Sequence, residues 1–124
     1  LLKASASTGW VLVDKAEKSK SSADIDAARN YFDQLAAKFG RRSEAQAAQS
    51  NARGVLKLLA GDAEAARRDL VHTEVNYFTV TDEVARSLFY QAQCLEKLGR
   101  KSEREARIRD LKEDYPRSEW ARRL

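Results

Sequence analysis

Across residues 24–39 the apolar positions Ala28, Phe32, Leu35 and Phe39 recur at i, i+4, i+7 and i+11, with polar residues between them. That is the spacing of one helical face, and it predicts a helix over 24–39. Upstream, Trp10, Leu12, Val13 and Ala16 predict another, fading into the polar, serine-rich loop 18–22. Gly40, Gly61 and Gly99 each follow an amphipathic stretch, where a left-handed cap favours glycine. Ser43 with Gln46, and Ser102 with Glu105, match the capping box, in which two side chains satisfy orphan backbone donors reciprocally. Asp62 with Glu64, and Thr81 with Asp82 and Glu83, put an acceptor and acids at the positive end of a helix. These signals delimit helices near 43–60, 62–77, 81–98 and 101–114. The β-prone run Tyr77–Thr81 reads as a helix end and turn, and Ser118 to Ala121, after Pro116, begins a final helix. No segment alternates strictly enough for a half-buried strand.

The pattern also repeats. Ala28, Ala66 and Arg104 are 38 residues apart, as are Phe32, Leu70 and Ile108, Phe39, Tyr77 and Tyr115, and Ala16, Gly54 and Ala92. A fixed period of this size marks stacked units, none of which buries its apolar face alone. The helices pair as three hairpins, about 9–40, 47–78 and 85–116, whose short connections force antiparallel neighbours. Ala16, Gly54 and Ala92 on the first helices, with Ala28 and Ala66 on the second, supply the small residues that close crossings require. Arg104 breaks the alanine column: either it runs along the edge of the stack or Ala106 takes the contact. Ser50 and Lys57 are poor core residues, so the first helix of the second unit is expected to rotate from this register.

Composition then limits the function. The 124 residues make one domain, and 43% hydrophobic content is enough for a continuous core. The 34% charged content and a mean hydropathy of −0.64 predict solubility. No stretch approaches the roughly 18 apolar residues of a membrane span, and no signal-peptide pattern is present. The chain opens on Leu1-Leu2 without a methionine and reads as a fragment or processed form. Its lone cysteine, Cys94, lies among Ala92, Leu95 and Leu98 and reads as a reduced core residue. The net charge of +4 is concentrated from Arg100 onward, but there Glu103 with Arg107 and Glu105 with Arg109 are spaced as i,i+4 pairs. Such alternating signs dilute a phosphate-binding field, and no nucleic-acid partner is expected. His72, the single histidine, has no second ligand near it and reads as a surface or helix-end residue. With no phosphate loop or nucleophile motif either, the chain is not expected to be an enzyme or to carry a metal or cofactor.

Several of these residues together resemble the tetratricopeptide repeat family. Gly54, then Ala60-Gly61-Asp62-Ala63-Glu64-Ala65-Ala66 and Leu70, are similar to the family's small residue, inter-helix Gly-Asp turn and following alanine. Leu88, Ala92, Leu95, Gly99, Ile108, Leu111 and Tyr115-Pro116 repeat the register, and Asp26 to Arg29 with Phe32 to Phe39 supply a first unit. Units of 38 rather than 34 residues imply longer helices or turns. The ending Asp114 to Ala121 resembles the inter-repeat sequence of bacterial cell-envelope members, which favours the periplasm or envelope over the cytoplasm.

The resemblance implies an all-α, right-handed stack of three hairpins with the start of a C-terminal capping helix. Its first helices would line a concave groove, with Trp10, Val13 and Glu17, then Asn51, Val55 and Leu58, then Arg86, Phe89, Tyr90 and Gln93 facing inward. Asn51 and Arg86 would hold peptide backbone or a carboxylate, and Phe89 and Tyr90 would give aromatic contact. A clamp for acidic chaperone tails is not expected, because Val13, Glu17, Ala52, Arg86 and Tyr90 offer one cation where two carboxylates need more. The implied function is a non-catalytic interaction scaffold for a peptide or helix, within a bacterial envelope or secretion assembly. Two alternatives remain: self-association through stack ends at Leu1-Leu2 and Trp120, and a regulatory domain of an enzyme whose catalytic part lies elsewhere.

Overall fold

Glycine marks the end of three helices in the computed structural model, which describes residues 1–124. Gly40, Gly61 and Gly99 take φ of 60°, 93° and 70°, the left-handed region that a side chain resists. They close α2 (Ser22–Phe39), α3 (Ser43–Leu59) and α5 (Thr81–Lys97). After α3, the amide of Gly61 donates to Leu58 O and that of Asp62 to Lys57 O, the paired bonds of a Schellman ending. The remaining helices are α1 (Leu2–Ser19), α4 (Ala63–Asn76), α6 (Lys101–Asp114) and α7 (Glu119–Arg122), and there is no strand. α1 starts well before Trp10, and its turn into α2 uses Lys20 at φ 54° rather than a glycine.

Helix starts differ from the capping-box expectation. Ser43 and Ser102 are the first and second residues of their helices, and the cap positions fall one or two residues earlier on Arg42 and Arg100. Gln46 therefore donates to Gly40 O at 2.8 Å instead of closing a box, and Arg100 pairs with Glu103 at 2.9 Å. Thr81 is likewise inside α5, whose cap, Val80, has no side-chain acceptor. Asp62 does cap, accepting from the Ala65 amide at 3.1 Å, and Ser21 and Ser118 do the same for α2 and α7.

Consecutive helices pack in chain order. The backbones of α1, α3 and α5 also meet one another in sequence, whereas those of α2, α4 and α6 do not. A touching row beside a separated row is a curved double layer, with α1, α3 and α5 on its inner side. One hydrophobic cluster runs through it from Leu2 to Trp120.

The crossings follow the small residues. A Cβ at Gly54 would stand 2.7 Å from Leu70 Cγ and 3.1 Å from Ala66 O, so α3 lies on α4 as closely as glycine allows. In the first unit the corresponding approach is at Gly9, where a Cβ would meet the Phe32 ring at 2.6 Å. That is two turns from Ala16, which is nonetheless fully buried. Ser50 and Lys57 fit without rotating α3: Ser50 donates to Asp69 O at 2.9 Å and Lys57 reaches the Asp69 carboxylate at 2.7 Å. Arg104 lies along the edge, 2.7 Å from Glu96, while Ala106 is only half-buried. α6 consequently contributes one fully buried residue, Leu111.

Candidate functional site

About two turns of α5, from Arg86 to Gln93, carry four of the expected groove residues, and the structure treats them unequally. Asn51 and Val55 on α3 are 0% and 1% exposed, so the open groove expected across them is closed at these two positions. Asn51 instead donates its Nδ2 to both the carbonyl and the carboxylate of Glu83, each at 2.8 Å, and ties α3 to the start of α5. Tyr90 is buried, Phe89 is half-buried and Gln93 is exposed. Of the other inward positions, Val13 and Leu58 are core, Glu17 is exposed and Trp10 is half-buried.

What covers α5 is the chain's own Trp120. It is buried, with its ring 5.3 Å from Phe89 and 5.7 Å from Tyr90, so it is not the unsealed end expected for self-association. Ser118 caps the short helix that presents it, and Arg123 lies 4.4 Å from the same ring. Arg86 joins this cluster to the opposite side of the fold. Its guanidinium sits 3.6 Å from the Trp10 ring centroid and 4.7 Å from that of Trp120, cation–π contacts to two indoles.

The charge on Arg86 is held at some cost. Its side chain is 15% exposed, and burial draws its pKa down, opposed chiefly by Glu83. Glu83 Oε1 is 3.4 Å from Nε but out of line, leaving Nε without a hydrogen-bond partner, like the buried Nε1 of Trp10. The terminal guanidinium nitrogens, which are not enclosed, make no hydrogen bond to the chain. Burial also raises Tyr90, reinforced by the nearby charge of Glu17.

Trp10, Arg86 and Trp120 border a cleft of about 590 Å³. The N-terminal half of α1 and the starts of α3, α5 and α7 line it, with Trp10, Ala48, Arg86 and Trp120 at its apolar wall. Lys3, Arg42, Arg117 and Arg122 rim it beside Glu44, Asp82, Glu83 and Glu119. Sequence reasoning missed this rim, although the signal was present. Ser43, Thr81 and Glu119 are 38 apart, so extending the period past Pro116 puts Trp120 on a first helix beside α5.

Other chemistry is sparse. No group of three or more His, Cys, Asp or Glu is arranged to hold a metal. His72 is exposed and contacts Asn76 at 2.9 Å, and Cys94 is enclosed, its thiol pushed up to about 11 by burial. No helix is long and apolar enough to cross a membrane. Comparison with protein-family models, curated proteins and solved structures found no match.

Proposed function

We propose that this chain is a non-catalytic protein-interaction module, a right-handed tetratricopeptide-like stack that holds an extended peptide or helix of a partner. The docking place is the cleft between α1 and the starts of α3, α5 and α7 rather than a groove over Asn51 and Val55. The observation that carries this reading is Arg86. Its guanidinium is pinned between two indoles while its terminal N–H groups have no acceptor within the chain. A stacked guanidinium loses little further freedom on binding and presents a planar row of donors to a backbone carbonyl or a carboxylate. Trp10 and Trp120 add rigid aromatic surface. The resemblance of Asp114 to Ala121 to envelope repeats supports a bacterial envelope or secretion assembly as the setting.

The test is selection of binding peptides from a displayed library on the full chain, followed by fluorescence anisotropy. Arg86→Gln is expected to weaken a selected peptide by roughly 10- to 100-fold, the worth of a charge-assisted hydrogen bond. Ser7→Trp, which fills the cleft from its exposed side, is expected to abolish binding, and His72→Ala to leave it unchanged. Peptides indifferent to both cleft substitutions would overturn the reading.

A further inference from the structure

We propose that the Trp10–Arg86–Trp120 stack is a strap that closes the inner face of the protein, and that Arg86 swinging out of it widens the cleft over α3. No Cα of α1 comes within 8 Å of one in α5 or α7, so side chains alone bridge these helices. The bridge passes over α3, whose residues there are short. Ala48 lines the cleft yet is 1% exposed, and Asn51 beside it is fully enclosed. Arg86 lines the cleft together with Ala48, so its departure from between the indoles would widen the cleft on that side without breaking a backbone contact.

Stacking is the main attachment of the strap. Arg86 makes no aligned hydrogen bond to Glu83, and its terminal nitrogens already reach the cleft. Leaving the stack gives up two cation–π contacts but restores water to both faces of the guanidinium and to the unpartnered Trp10 Nε1. The strap itself stands whether or not any partner binds.

Trp10 and Trp120 are the only tryptophans, so intrinsic fluorescence reads the stack alone. In the full chain Arg86→Ala is expected to shift emission to the red and to raise the acrylamide quenching constant at unchanged far-ultraviolet ellipticity, because both indoles lose the guanidinium that covers them. Spin labels at Val11→Cys and Leu124→Cys, both exposed, with Cys94 enclosed and unreactive, are expected to show a longer, broader distance distribution in Arg86→Ala. Arg86→Lys keeps the charge and the stem but not the planar face, and is expected to fall between the two; it carries the test if the alanine variant does not fold. Unchanged quenching in Arg86→Ala, or wild-type behaviour in Arg86→Lys, overturns the strap. No partner enters these measurements, so their failure is distinct from failure of the interaction reading.

Discussion

At Gly54 one absent Cβ sets how closely α3 lies on α4. Replacing it with alanine gains about 1 kcal/mol of helix propensity but forces Leu70 and the backbone at Ala66 to move. Overpacking of this kind costs roughly 1–3 kcal/mol, so Gly54→Ala is expected to lower the urea midpoint despite the better helix former. This glycine was legible because it sits in the 38-residue column. Gly9 heads a second column at the same spacing, Gly9, Ala47 and Ala85, each 23 residues before Phe32, Leu70 and Ile108, and that column went unread. Cys94 gives a second test at this scale. Its thiol keeps its proton to about 11 when folded, against 9.0 ordinarily. Below that ordinary value both states are neutral and the thiol has no effect on stability. Between the two values the unfolded chain ionises while the native one does not, so stability falls as pH rises, by at most about 1.4 kcal/mol per pH unit. Urea titrations from about pH 8 to pH 11 are expected to show a smaller loss in Cys94→Ala than in the parent.

Among the elements, α6 and α7 are the lightly held ones. α6 is polar on nearly every side and keeps one fully buried anchor, so Leu111→Ala is expected to cost about 2–5 kcal/mol and to raise amide exchange in α6 first. α7 depends on its cap. Ser118→Ala removes the acceptor of the Ala121 amide, worth about 1 kcal/mol, and is expected to redden tryptophan emission while the main thermal transition stays in place. Element positions were readable from periodicity and glycine stops, since these act within a few residues of chain. Starts were less so. A serine followed by glutamine or glutamate three residues on signals a box, but the caps fall on Arg42 and Arg100 instead, and the Gln46 side chain finds another acceptor. The extent of α1 was missed because its first turns are held by Gly9 against Phe32 and by Tyr31 donating to Ser5 O at 2.8 Å, contacts that exist only after α2 has folded back.

Over the whole molecule, stability follows nearest-neighbour contacts rather than a central core. Hydrogen exchange is expected to be slowest in α3, α4 and α5, each packed on both sides, and fastest toward α1 and α7. Of the ion pairs between successive units, Arg53 with Asp33 is solvent-exposed and Arg107 with Glu74 is partly so. Such pairs each contribute under about 1 kcal/mol, and added salt is expected to move the midpoint little. The sequence by itself determined the all-helical class, the period, the turns and the small-residue crossings, because each is decided by neighbours close along the chain or by a column of equivalents. Only the tertiary structure decided what lies on the inner face. Trp10, Arg86 and Trp120 meet across residues that are remote in sequence, and whether an inward side chain stands open or covered depends on how tightly the stack curves. That curvature sums small displacements at every crossing, and it turned an expected groove along α3 into a cleft guarded by one stacked arginine.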